Sequence, residues 1–380
     1  MTVPPRFSNP PHNILYYISH QRVDSGAPAV LCRMIRRLDR SRFQPFFLAR
    51  SEGPLVDWMA EQKVTIIRSP VGNVAYRHPL RSIGRLRRMC RLLRLNRIAL
   101  VHSFAYGWNE DFVLAAGLCR IPVILHEHLG GKAHFQNLNR LAAAKVLFCS
   151  AAQRDNFGNL ERVRGKAEVL YNSVDLDRFD SRKTSLRAEL GFSDENIVVG
   201  AVAFVTPEKG IDILLDAAAL LAPRWDNLRV LIVGAFNPRQ ADYCKALTRR
   251  AAAPPLNGKV SFLGSRRDVP ELLSCMDIFA FPSLWEAFGL APLEAMAARL
   301  PVIASRVGGI PEILNAPDIG RLVSPVSAPA FAESIEPFLA DPGLRRQTGE
   351  RARQSLIGRF DEPTIAGNLE RIYLETLGPA

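Results

Sequence analysis

Two glutamates, Glu286 and Glu294, lie in the segment Phe281-Pro-Ser-Leu-Trp-Glu286-Ala-Phe-Gly289-Leu-Ala-Pro292-Leu-Glu294-Ala-Met-Ala-Ala, which follows a short apolar run. Proline is tolerated in a helix only within its first turn, so Pro292 requires the helix to begin near Gly289 or Leu290. Glu286 then sits on the preceding loop and Glu294 in the early helix. A helix N-terminus gathers unpaired backbone N–H groups and partial positive charge, and a glycine there lets a ligand approach the backbone. That is a place for a phosphate. A carboxylate beside a phosphate is useful when it accepts hydrogen bonds from hydroxyls, so the pair suggests a sugar on each side of a diphosphate. The plainer alternative is that Glu294 complements the helix dipole and Glu286 is solvated.

Lys209 lies in Pro207-Glu-Lys-Gly210, after a buried apolar run and before the amphipathic stretch Ile211 to Leu221. A fixed cation at the end of such a strand stabilises charge building on a leaving diphosphate more than it stabilises the ground state. A solvated lysine in a turn is the competing reading. All seven histidines precede residue 135, and His126, His128 and His134 cluster after an apolar run. A helical zinc site of the His-Glu-x-x-His kind is not present, and His126-Glu-His128 lacks a matching third ligand, so no metal is expected.

These residues need a scaffold that brings loop ends together. Short apolar runs at 13–19, 43–49, 63–68, 99–104, 123–126, 146–150 and 168–171 alternate with longer amphipathic ones, the rhythm of a parallel sheet covered by helices on both faces. A polar stretch at 172–196 follows, and the rhythm restarts with runs at 197–205, 229–233, 260–262, 278–281, 302–304 and 321–323. The expected fold is α/β, with two doubly wound Rossmann-like domains: residues 1–180, joined by a C-terminal helix at 362–380 that packs back on them, and residues 181–361. Open α/β sheets bind ligands beyond the carboxyl ends of their strands, which places the site in a cleft where the two domains face each other.

Composition narrows the class. The chain has 380 residues, 48% apolar and 23% charged, which excludes disorder and small disulfide scaffolds. Six scattered cysteines form no Cys-x-x-Cys pair. The longest apolar run with glycine, 197–205, falls far short of the about 20 residues of a membrane span, and no secretory leader is readable, so a cytoplasmic protein is expected. Residues 1–180 carry 27 Lys/Arg against 14 Asp/Glu, whereas the remainder carries 22 against 23. Eight arginines and no acid occupy 77–97, with Ile83, Leu86, Cys90 and Leu93 at helical spacing. This basic amphipathic helix is either a solvated outer helix or a face for anionic lipid headgroups. No nucleic-acid-binding signature accompanies it, and no nucleic-acid partner is expected.

The motif from Pro282 to Ala297, with Pro301-Val-Ile-Ala-Ser305, Gly308-Gly-Ile-Pro-Glu312 and Val202-Ala-Phe-Val-Thr-Pro-Glu-Lys209-Gly, resembles the group 1 (family 4) retaining glycosyltransferases of the GT-B superfamily. Leu170-Tyr-Asn172-Ser-Val-Asp175 resembles that family's linker motif, and Asp24-Ser-Gly26-Ala-Pro28 its glycine-rich loop. The resemblance implies that Glu294 holds the donor ribose, Glu286 the transferred sugar, the amides of Gly289 and Leu290 the distal phosphate, and Lys209 the diphosphate. It implies that Ala287 and Phe288 border the donor, that Ser265 and Arg266 lie on the loop beside the base, that Gly26 approaches the sugar phosphates, and that His128 lines the reaction centre. The catalytic set is then Glu286, His128 and Lys209. The activity implied is metal-independent, retaining transfer from a UDP- or GDP-sugar, with no other cofactor, to a hydroxyl on a glycan or glycolipid. A nucleotide-sugar epimerase or glycogen-type synthase on the same plan is the rival enzyme. Phe204, where such families often carry an arginine, motivates a non-catalytic sugar-binding relic as the rival outside catalysis; Arg266 or Arg267 is the candidate substitute cation. Ala287 and Arg299 replace glycines, which is tolerable at negative φ, and Ser173 replaces the linker glycine.

Overall fold

The computed structural model describes residues 10–19, 23, 26–72, 79–104, 110–128, 143–158, 160–180 and 185–378. The chain divides into two compact units, residues 1–171 with 362–380, and residues 172–361.

The first unit is built on strands β1 (His12–Tyr17), β2 (Phe43–Ala49), β3 (Thr65–Arg68), β4 (Ile98–Ser103), β5 (Val123–Glu127), β6 (Lys145–Phe148) and β7 (Ala167–Val169), in the order β3-β2-β1-β4-β5-β6-β7. All neighbours are parallel. Parallel strands covered on both faces read as continuous apolar runs, and β5 is buried at every position while β2 is buried at all but Gln44. The C-terminal helix Glu362–Leu377 belongs to this unit. Glu362 takes an ion pair from Arg37 (2.6 Å), Glu370 one from Arg42 (3.3 Å) and Glu375 one from Lys145 (2.9 Å).

The second unit carries β8 (Ile197–Val202), β9 (Leu228–Val233), β10 (Val260–Phe262), β11 (Ile278–Phe281), β12 (Val302–Ser305) and β13 (Gly320–Val323), in the order β10-β9-β8-β11-β12-β13, again parallel. The division falls after Tyr171 rather than after Asp180. Val174 donates its N–H to the Phe360 carbonyl (2.8 Å), and Asp180 accepts from Arg299 (2.9 Å) and Arg353 (2.7 Å), so the segment after Asn172 is tied into the second unit. The run 197–205 ends as regular strand at Val202, after which Ala203 and Val205 still donate to Val233 and Ala235 (2.9 Å each).

Among the described residues, no helix is long and apolar enough to cross a membrane. Helix Pro79–Leu95 carries most of the arginine run; Arg77, Arg97 and the side chain of Arg81 lie respectively outside the described residues, beyond the helix end, and among the side chains not described.

Candidate functional site

In each sheet the strand order reverses at one point, between β1 and β4 in the first unit and between β8 and β11 in the second. Ligands of open α/β sheets bind beyond the carboxyl ends of the strands at such a reversal. Lys209 follows β8 and Glu286 follows β11, so the two singled-out residues stand on the two loops flanking the second unit's reversal point.

The loops are locked together. Leu284 donates its N–H to the Glu208 carbonyl (2.8 Å), and Gly210 adopts φ +62 with Pro282 so close that a Cβ would stand 2.2 Å from its carbonyl oxygen. Only glycine meets both demands. The Lys209 ammonium bonds directly to Glu286 Oε1 and lies 5.8 Å from the centroid of the Phe281 ring. Buried Ser283 donates from its hydroxyl to the same Oε1 (3.3 Å). Both charged side chains stay partly accessible, Lys209 at 28% and Glu286 at 13%, so a ligand can reach them.

The turn after β12 fixes the Glu286 backbone from the other side. Gly309 donates to the Glu286 carbonyl (3.3 Å), and Gly308, at φ +48, would place a Cβ 1.7 Å from that oxygen. Helix Leu290–Ala297 starts where Pro292 requires, capped by Gly289 at φ +113, and Glu294 is half-buried in the following turn. A cation, a carboxylate and a glycine-opened helix N-terminus therefore occupy the loops around one reversal point.

The other expected residues divide. Phe288 is 2% exposed with its ring against Phe360 (centroids 5.7 Å), and Ala287 is buried, so a ligand would meet their backbone and not their side chains. Ser265 is exposed beside Gly264 (φ +66), whose carbonyl accepts from Gly234 (2.8 Å) and holds that loop against the end of β9. Arg266 pairs through two nitrogens with Asp268 (Nε to Oδ1 2.8 Å), which raises its pKa and compensates locally the charge expected to replace the missing arginine. Phe204 is 49% exposed. The expectation of negative φ at Arg299 is corrected: its φ is +60, because Arg299 closes the C-terminus of helix Leu290–Ala297 in the left-handed position, donating to the Met296 carbonyl (3.0 Å) while Leu300 donates to that of Ala295 (3.0 Å), and its side chain pairs with Asp180 (2.9 Å) and Glu350 (3.1 Å). Sequence reading passed over Ser283; its place in the Pro-Ser pair beside the glutamate was the available signal.

In the first unit, Gly26 opens helix Gly26–Arg37 at φ +52, while the preceding Asp24 and Ser25 lie outside the described residues, as does His134. His128 follows β5 directly, stacked on Phe104 (5.2 Å between ring centroids) and tilted against His126 (4.2 Å). Behind it runs a chain that the sequence did not announce. His126 Nδ1 meets His102 Nε2 (3.2 Å), His102 Nδ1 meets the Tyr373 hydroxyl (2.6 Å), and Tyr373 meets the Tyr16 hydroxyl (2.9 Å). Burial pushes His102 and His128 down to about 3, and His126 well below its usual value, so all three imidazoles are neutral. In a neutral chain each link has one donor and one acceptor, so the polarity of the Tyr373 link dictates whether His126 Nε2 is left as donor or acceptor. The His128 imidazole can exchange hydrogen bonds with a ligand but supplies no positive charge.

The sequence pattern of the glycosyl transferases group 1 matches residues 182–355, and that of glycosyltransferase family 4 matches residues 25–178. The two patterns together span most of the chain, which belongs to the group 1, family 4 glycosyltransferases and has a GT-B type of fold, two Rossmann-like units. It is 31% identical over 55% of its length to N-acetyl-alpha-D-glucosaminyl L-malate synthase of Bacillus anthracis, spanning only 54% of that protein. It is 28% identical to the lipopolysaccharide core biosynthesis mannosyltransferase LpcC of Rhizobium leguminosarum bv. viciae, over 62% of this chain and 72% of that one. The crystal structure of Anabaena HepE, solved with UDP and glucose, has the same fold, with TM-score 0.78, 22% identity, and coverage of 95% of this chain and 99% of the other.

Proposed function

We propose that the chain transfers a sugar, with retention and without a metal, from a UDP- or GDP-sugar to a hydroxyl of a glycan or glycolipid used in cell-envelope or exopolysaccharide synthesis. The observation that carries this reading is the meeting of Lys209 and Glu286 on the loops that also hold the Gly289 helix N-terminus. A diphosphate bearing a sugar needs that set of partners. The names of the LpcC relative and of the UDP-bound HepE structure support it.

In the reaction, the bond between the sugar's anomeric carbon and the diphosphate oxygen breaks, and its electron pair stays on the diphosphate. The acceptor oxygen bonds to the same face of that carbon, and its proton passes to a donor phosphate oxygen. Lys209 turns from Glu286 to the diphosphate and meets the charge that develops there. Glu286 accepts hydroxyl hydrogen bonds from the transferred sugar, the Gly289 and Leu290 amides bind the distal phosphate, and Glu294 holds the ribose. Ser265 and Arg266 border the base, Gly26 gives close backbone approach, and neutral His128 exchanges a hydrogen bond with a sugar hydroxyl.

Purified protein incubated with a panel of UDP- and GDP-sugars should hydrolyse one donor slowly without acceptor and should do so in EDTA. Epimerised donor as the product would favour the epimerase, no turnover of any donor the sugar-binding relic, and full dependence on manganese would overturn the metal-free mechanism. Glu294→Gln should weaken binding of the nucleoside diphosphate by about 1.5 to 3 kcal/mol, as for hydrogen bonds to a charged group. An unchanged dissociation constant by calorimetry would remove the ribose assignment.

A further inference from the structure

Helices Pro79–Leu95 and Asp111–Leu118 lie side by side in the first unit, and the described residues leave an open groove of about 560 Å³ along them. The first helix turns Met89 and Leu93 into the core, and Arg85 reaches inward to the buried Asp111 carboxylate (3.4 Å), which fixes the face it shows outward. Sequence spacing grouped Ile83 with Leu93, but ten residues at about 100° each leave them about 80° apart. Ile83 accordingly stays 45% exposed, with Leu95 at 69% and Leu118 at 66%. Single exposed leucines need no explanation, whereas three apolar side chains lining one groove do. Arg87, Arg91 and Arg94 line the same groove. Hydrocarbon walls with guanidinium groups among them ask for an amphiphile whose apolar part and anionic part adjoin.

We propose that this groove docks an anionic phospholipid of a bilayer, with an acyl segment against Ile83, Leu95 and Leu118 and the phosphate bridged by Arg87, Arg91 and Arg94. Guanidinium groups match phosphate oxygens in pairs, which suits an all-arginine, lysine-free helix. A second copy of the chain fits poorly, because its own groove would bring like charges together. The inference stands on the groove and not on the donor assignment, since lipid binding is read without turnover.

The full chain should sediment with vesicles containing phosphatidylglycerol and not with pure phosphatidylcholine. Salt should weaken this binding without abolishing it, because screening acts on the charges and not on the apolar contact. R87Q/R91Q/R94Q should lower the partition coefficient at low salt by roughly a hundredfold, each surface arginine contributing about fivefold. L95Q/L118Q should lower the partition coefficient at every salt concentration and so remove the salt-resistant part. Arg85 is left alone because its pair with Asp111 holds the helix, and unchanged circular dichroism identifies folded variants. No binding to phosphatidylglycerol vesicles at low salt would overturn the proposal. So would salt resistance untouched by L95Q/L118Q, equal displacement by polyglutamate in high salt, or a dimer that L95Q/L118Q splits.

Discussion

Lys209→Ala should reduce kcat by a factor of about a hundred to a thousand and also weaken binding of the nucleoside diphosphate, whereas Glu286→Ala should abolish transfer and leave that binding nearly intact or tighter. The asymmetry follows from the direct pairing of the two side chains. Removing the lysine leaves a carboxylate next to the diphosphate, so ground-state binding loses an attraction and gains a repulsion. Removing the glutamate frees the ammonium, and the nucleotide, which lacks the sugar, loses no partner. The rate factor is that of losing one preorganised donor to developing negative charge, about 2.7 to 4 kcal/mol. Single-turnover kinetics and calorimetry with the nucleoside diphosphate separate the two effects. Equal loss of transfer and nucleotide affinity in both variants would show that Glu286 does not touch the sugar. The double variant should fall well short of the product of the single effects, since contacting groups do not contribute additively.

The second unit was the more legible half because its chemistry is written in local backbone demands. Pro292 dated the start of a helix, Gly289 marked its cap, and Lys209 stood one residue before a left-handed glycine beside which the Pro282 carbonyl leaves no room for a side chain. Each signal lies within a few residues of the group it positions. What lay beyond reading came from distant segments. His102, His126 and Tyr373 are separated by 24 and 271 residues along the links of their chain, and nothing in the local pattern of β4 says that a C-terminal helix supplies the hydroxyl beside it. The arginine helix shows a third limit. Its type was plain from spacing, but which arginine turns inward depended on Asp111, on another helix. Arg299 was misjudged for a different, local reason: it stands just past the end of helix Leu290–Ala297, where a left-handed residue closes the last turn.

The histidines behind the site should make the first unit acid-sensitive, with the effect partly offset by one buried glutamate until it is removed. His102 and His128 are held down to about 3, against an ordinary value of about 6.5, so below that ordinary value the unfolded chain binds protons that the folded one does not. Stability therefore falls as pH drops from about 6.5 toward 3, by about 2 kcal/mol for each of the two between pH 7.5 and 5. His126 acts in the same sense. Glu110, which burial and the neighbouring Asp111 raise to about 8, acts oppositely. It is protonated in the folded state and ionised in the unfolded one between about 8 and 4.5, so it adds about 3 kcal/mol over the same interval as pH falls. The native chain should then lose less stability from pH 7.5 to 5 than the Glu110→Gln variant, which should lose about 4 kcal/mol or more, read from hydrogen exchange of the β4 and β5 amides. Adding His102→Phe to that variant should remove about 2 kcal/mol of the loss. A Glu110→Gln protein no more sensitive to pH than the native one would mean that these imidazoles are protonated in the folded state, and that the neutral hydrogen-bonded chain behind His128 does not exist.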